Sequence, residues 1–198
     1  MRTVLRIAEV PRGKAMSRII TLTGAKGSGK SSLFRGLQRQ ESVALFNQAY
    51  FVQSPGRAAQ LAGVPLGQGG SDDGHLHFCE HYVSVLNSGK VNPTIIADRC
   101  FVDHLAYVRM LSQNPNIIRL METLASLVIP AYQMVFVCKL NSSTRSFKYD
   151  TETLEFREEI QRQIMTICDE YGASYQLLEG SEADFLEAAL KYGESLDV

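Results

Sequence analysis

The sequence predicts an α/β domain, with a mainly parallel five-stranded sheet covered by helices on both faces in three α/β/α layers. Three observations lead there. Five short apolar runs alternate with longer stretches of helical periodicity. The runs are continuously apolar rather than alternating in polarity, the pattern of strands buried on both faces. No linker, repeat or low-complexity block divides the 198 residues, whose 45% hydrophobic content supports one full core.

Taken in order, Ile19-Ile20-Thr21-Leu22 reads as a buried strand, broken by glycines at 24, 27 and 29. Lys30 to about Gln40 reads as a helix, with Leu33, Phe34 and Leu37 at core spacing. Ser42 to Val52 is apolar enough for a second strand, and Pro55 opens a short helix to about Leu61. The glycine-rich stretch from Gly63 to Gly74, with Asp72 and Asp73, is expected to be a loop. Leu76 to Leu86 is helical and ends near Gly89, and Thr94-Ile-Ile-Ala97 is a buried strand closed by Asp98-Arg99. Helices over Phe101–Leu111 and Ile117–Val128 are separated by the breaker Asn114-Pro115. A strand over Gln133–Leu140 precedes polar residues 141–150. Then come an amphipathic helix from Thr151 to Tyr171, a strand from Ser174 to Leu178 and a last helix from Ser181 to Tyr192.

Charge excludes some classes of function. Twenty Lys+Arg against 21 Asp+Glu leave a net charge of −1, so this is not a polybasic protein. The longest clean apolar runs, such as Met134–Cys138, fall far short of the roughly 20 residues of a spanning helix, and no membrane association is expected. Cysteines 79, 100, 138 and 168 form no CxxC pair, which suits free thiols in a reducing, cytoplasmic compartment. Residues 1–16 lack the apolar core of a signal peptide and read as a mobile extension to a domain over 17–198.

The chemistry begins at Gly24-Ala25-Lys26-Gly27-Ser28-Gly29-Lys30-Ser31, which matches GxxxxGK[ST] between a strand and a helix. Such glycines let successive N–H groups turn inward onto phosphate oxygens, and the following helix adds the positive end of its dipole. Lys30 is expected on the β- and γ-phosphates of ATP, Ser31 on Mg²⁺, and Lys26, Ser28 and Ser32 around them. In a parallel sheet all strand C-termini share one edge, so Asp98 should emerge beside this loop. It would hold Mg²⁺ or take a proton from an acceptor hydroxyl, and Arg99 would grip a phosphate or substrate oxygen.

The segment Asp98-Arg99-Cys-Phe-Val-Asp103-His-Leu-Ala106-Tyr107 resembles the DRxxxDxxAY segment of the AAA-type ATPase family that includes ribosylnicotinamide kinases. It also resembles the DR(S/Y) segment of thymidylate and deoxynucleoside kinases. The resemblance covers roughly residues 18–190 and implies the P-loop NTPase fold of a small-molecule kinase. It implies a lid over about 141–150 with Arg145 acting on the transferring phosphate, Lys148 and Arg157 behind it. It places the acceptor between Ser54–Arg57, the helix around Glu80, and Asp98–Arg99, with Asp103 nearby. In related kinases the second strand ends in a Glu-Pro-x-Arg-like segment, where this chain has Ser54-Pro55-Gly56-Arg57. The arginine is kept and the carboxylate is not, so the base role passes to Asp98, to Asp72 or Asp73, or to no residue at all.

His77 and His81 stand one helical turn apart, but Cys79 does not share their face, and they are expected to be partly exposed rather than zinc ligands. Phe78, Tyr82, Phe101 and Tyr107 are expected in the core. The function these observations predict is transfer of the γ-phosphate of Mg-ATP to a hydroxyl of a nucleoside, nucleotide or nucleoside-like acceptor, by a monomer or homodimer. One alternative acceptor is a hydroxymethylated pyrimidine base within DNA, as in phage-type kinases. A regulatory ATPase or nucleotide-dependent switch is the alternative from another class.

Overall fold

The computed structural model describes residues 18–56, 63, 71–88, 91–140 and 152–196. Five strands form one sheet: β1 (Arg18–Thr23), β2 (Tyr50–Val52), β3 (Thr94–Asp98), β4 (Met134–Cys138) and β5 (Tyr175–Leu178). Their spatial order is β2-β3-β1-β4-β5, and every pairing is parallel. Successive residues of each strand point to opposite faces. Ile20, Leu22, Ile96, Phe136 and Cys138 therefore enter one core, while Ile19, Ile95, Ala97, Val135 and Val137 enter the other. Both sides are sealed by helices, which is why the strands read as unbroken apolar runs.

On the first side lie α1 (Lys30–Gln38), α2 (Ala44–Asn47) and a C-terminal helix over Glu182–Leu196. The second side carries α3 (Asp72–Ser88), α4 (Phe101–Leu111), α5 (Pro115–Val128) and α6 (Leu154–Glu170); the C-terminal helix is then α7. This is the three-layer α/β/α architecture expected of the sequence. Asn114-Pro115, read as a breaker, is also a start signal. Pro115 takes the first helical position, where its missing N–H is not needed, and the Asn114 side chain accepts from the Asn116 N–H at 3.1 Å.

Two expectations need correction. Ser42–Val52 is not one strand, because only Tyr50–Val52 pairs with β3 and Ala44–Asn47 is a short helix. Val43 and Phe46 are buried at helical spacing and press on α7 at Gly193, where an added Cβ would lie 2.6 Å from the Phe46 ring. The stretch ending at Gly74 is not loop throughout, since α3 begins at Asp72 with both aspartates in its first turn, where the helix dipole favours negative charge. The Ser71 hydroxyl caps that end, accepting from the Gly74 N–H at 3.3 Å. The extension 1–16, most of the helix after Pro55 and the lid region 141–150 lie outside the described residues.

The topology places the site. β1 and β3 are neighbours in register, with Leu22 opposite Asp98, so the chain leaving β1 and the last residue of β3 meet at one sheet edge.

Candidate active site

The loop between β1 and α1 is shaped by backbone demands that only glycine meets. Gly24 has φ +137°, and a Cβ there would lie 2.4 Å from the Cys138 carbonyl oxygen and 2.7 Å from Ser28 Oγ. The close approach of Gly24 to the end of β4 therefore requires hydrogen at that position. Gly29, at φ +93°, then turns the chain directly into α1. The first N–H groups of a helix have no carbonyl one turn behind them, so those of Lys30 and Ser31 open this site.

Lys30 is 5% exposed, and its ammonium spans the loop from inside. Nζ donates to the carbonyls of Gly24 at 2.6 Å and Ala25 at 2.7 Å, and to Ser28 Oγ at 3.3 Å. Burial, and then the nearby Arg99 charge, bring Lys30 down to about 8, with Asp103, Cys138 and Asp98 opposing the shift. Ser31 follows Lys30 on the exposed side of the helix, and its hydroxyl donates to Asp98 Oδ2 at 3.4 Å. Asp98 is 8% exposed, and its other oxygen, Oδ1, is buried without a hydrogen-bond partner. Burial pushes the Asp98 carboxyl up, while Arg99, Lys30 and the Ser31 hydroxyl pull it down.

A hydroxyl and a carboxylate with one unused buried oxygen form a hard-oxygen set suited to Mg²⁺, which prefers one or two protein oxygens plus phosphates and water. Ser31 and Asp98 therefore fit the ion the sequence implies. Among the described residues no group of three His, Cys, Asp or Glu side chains could hold a metal.

Arg99 adopts φ +75°, the left-handed region, and among the described residues it is the one non-glycine that does so. A side chain there costs about 1–3 kcal/mol unless the surroundings hold it. They do: the Arg99 N–H donates to the Leu22 carbonyl at 2.9 Å, and its guanidinium donates to Asp103 Oδ1 at 3.3 Å. Asp103 is 1% exposed and also accepts from the Cys100 N–H at 3.0 Å, closing a capping box at the start of α4. The described contacts of Asp103 thus lie within the chain, where it orients Arg99. Burial works against the Arg99 charge, but Asp103, Tyr107, Tyr82 and Asp98 outweigh it and push its pKa up.

The remaining sequence-derived residues scatter. Lys26 and Ser32 lie at the loop and first turn of α1, and Ser54 lies just beyond β2 at the same sheet edge, its Oγ accepting from the Gly56 N–H at 3.2 Å. Glu80 is on the exposed side of α3. Asp72 accepts from the Ser112 hydroxyl at 2.7 Å, just past the end of α4, about 15 Å along that helix from its start by the rise per residue. The base role sketched for Asp72 is thereby removed. Arg157 is 3% exposed in the first turn of α6. Arg57, Arg145 and Lys148 lie outside the described residues.

Three features escaped the sequence. Gln161 of α6 reaches the loop, accepting from the Ala25 N–H at 3.3 Å. Tyr107 donates to buried Glu152. His75 and His104, both buried, stack edge to face with ring centres 5.3 Å apart, and Phe78, Tyr82 and Phe101 pack on His104. Burial, with the His75 charge adding to it, takes His104 down to about 3. His77, by contrast, is exposed, and His81 is partly so.

A parallel sheet ordered 2-3-1-4-5, a GxxxxGKS loop between its central strand and a helix, and a carboxylate closing the neighbouring strand define a P-loop NTPase fold. The family model described as AAA domain matches residues 19–184, and the chain belongs to that family. Its structure is similar to that of the NadR protein in complex with NR, with a TM-score of 0.73 and 17% identity over 92% of this chain. That match covers 52% of the NadR chain, so the present chain spans about half its length. It is also similar to thymidylate kinase from Ehrlichia chaffeensis (TM-score 0.61, 18% identity, 90% of this chain and 99% of that one). Deoxyadenosine kinase from M. mycoides is a further neighbour (TM-score 0.64, 11% identity, 89% of this chain and 99% of that one). No curated protein matches the chain by sequence.

Proposed function

We propose that this protein is a kinase that transfers the γ-phosphoryl group of Mg-ATP to a hydroxyl of a nucleoside, nucleotide or nucleoside-like acceptor. The observation that carries the reading is the convergence of four groups at one sheet edge. Lys30 sits inside the phosphate loop, Ser31 Oγ lies 3.4 Å from Asp98, Asp98 keeps a buried oxygen unused, and Arg99 follows in a held, strained backbone. Phosphoryl transfer asks a protein mainly for positioning and for positive charge where the oxygens gain negative charge. Bound at Ser31 and Asp98, Mg²⁺ would supply charge neutralisation between the phosphates. Lys30 Nζ would exchange the carbonyls of Gly24 and Ala25 for phosphate oxygens. Arg99, oriented by Asp103, keeps a side chain that is 26% exposed at the open edge, available to the acceptor or the transferring group. The kinases of similar fold named above support the reaction class, and the acceptor follows from the same likeness.

The test is ATP consumption against a panel of free nucleosides, nucleotides and hydroxymethyl-containing DNA, run with the native chain, Lys30→Ala and Asp98→Asn. One free acceptor should raise turnover well above hydrolysis, Lys30→Ala should abolish transfer, and Asp98→Asn should raise the Mg²⁺ requirement. Hydrolysis untouched by every hydroxyl compound would sink the kinase reading, and stimulation by DNA alone would move the acceptor to a base within a polymer.

A further inference from the structure

Ala25 is held at both of its backbone polar atoms, the carbonyl from within the loop and first turn of α1 and the N–H from a distant part of the chain. Its carbonyl accepts from Lys30 Nζ at 2.7 Å and from the Ser28 N–H at 3.2 Å, while its N–H donates at 3.3 Å to Gln161 Oε1 of α6, 136 residues away. Ala25 is 1% exposed, so solvent cannot take over from Gln161 if the side-chain acceptor is removed. Ile160 and Ile164, both 0% exposed, flank Gln161 on α6 and seat that stretch of the helix in the core shared with α4. The amide therefore starts from a fixed backbone and has only its own torsions to adjust. Because the Ala25 N–H is a donor, it must face the amide oxygen, which leaves Nε2 as a buried donor with no hydrogen-bond partner.

We infer that Gln161 is a positioning residue for the phosphate loop, holding the Ala25 peptide in place while Lys30 turns from the loop carbonyls to the nucleotide. The inference rests on the reading of this loop as a nucleotide site. An ammonium has three protons, and in this structure Gly24, Ala25 and Ser28 accept all three. Reaching phosphate oxygens requires Nζ to give up some of these partners, and the Ala25 carbonyl then keeps only the Ser28 N–H, a partner inside the same loop. The N–H side stays tied to α6. Without Gln161 the Ala25 peptide would be left with the Ser28 N–H alone, a hydrogen bond that closes within the loop and ties it to no other element.

The experiment compares the native chain with Gln161→Met, which keeps length and volume but has no amide, and with Gln161→Glu, which keeps an oxygen at the same reach. Amide hydrogen exchange at Ala25 is followed by NMR without nucleotide, and Mg-ATP affinity is measured by calorimetry. Expected for Gln161→Met are Ala25 exchange at least about 10-fold faster and Mg-ATP affinity about 5- to 10-fold weaker, the worth of one hydrogen bond. KM for the acceptor should stay unchanged, a split that general loosening of the fold would not produce. Gln161→Glu should restore Ala25 protection while its charge keeps ATP binding weak. Native exchange or native ATP affinity in Gln161→Met overturns the inference, and so does failure of Gln161→Glu to restore protection, even if the Met variant melts early. A native chain that binds no nucleotide is a different failure: it removes the kinase reading first, and this role with it.

Discussion

Raising the pH should weaken nucleotide binding through one side chain. Burial first, and the Arg99 charge second, bring Lys30 down to about 8. The form that meets phosphate is the ammonium, so binding above that pH must take up a proton. By the titration relation, roughly 90% of Lys30 is charged one unit below its pKa and about 10% one unit above. If the phosphates hold the proton firmly in the complex, the apparent Kd for Mg-ATP should be about 10-fold higher at pH 9 than at pH 7, and rise further toward pH 10. Stability of the free protein should move the other way. Between about 8 and 10.5 the unfolded lysine keeps a proton that the folded one has released, so folding gains as pH rises through that window. Calorimetry at pH 8.5 in buffers of different ionisation enthalpy measures the proton uptake directly, with Lys30→Met as the control that should show none. Equal affinity from pH 7 to 9.5, with no buffer-dependent heat, would refute the assignment of Lys30 as a buried, phosphate-facing ammonium.

Two further outcomes follow from packing and burial. Gly24→Ala forces a Cβ to 2.4 Å from a backbone oxygen at φ +137°, so strain and overpacking should remove about 2–5 kcal/mol. Urea unfolding and ATP titration should show a lower midpoint and at least about 10-fold weaker binding, and native values for both would mean the loop does not approach β4 this closely. On the acid side, His104 has its pKa pushed down to about 3 among His75, Phe78, Cys79, Tyr82 and Phe101. The unfolded histidine accepts a proton below about 6.5 that the folded one refuses, so stability should fall as pH drops from there toward 3, at up to about 1.4 kcal/mol per unit. His104→Phe keeps a ring in place and should flatten that slope in acid unfolding curves; an unchanged slope would assign it to other groups.

What was legible in the sequence was whatever depends on local pattern. β1, β3 and β4 are continuous apolar runs because both faces are covered, and α4 starts and stops where its periodicity does. The phosphate loop was legible because glycine spacing, a preceding strand and a following helix occur together in sequence. Gln161 was not legible, since its role depends on which turn of α6 faces Ala25, and nothing local to either residue encodes that approach. Nor was the burial of His104 legible, because the rings of His75, Phe78 and Tyr82 that surround it come from α3. Val43–Phe46 failed for a related reason. Short apolar runs fit strand or helix equally, and contact with Gly193, near the other end of the chain, decides between them.

The register of Leu22 against Asp98 has a consequence for variants far from the loop. The distance between Ser31 and Asp98 is stored in the hydrogen-bond ladder of two strands, not in the site. A slip of one residue between β1 and β3 would carry Asp98 about 3.3 Å along the strand and turn its carboxylate to the opposite face. Substitutions at Thr94 or Ile96, which touch no phosphate, should then be read as changes of alignment: they can silence the site while leaving every functional side chain present and the sheet intact.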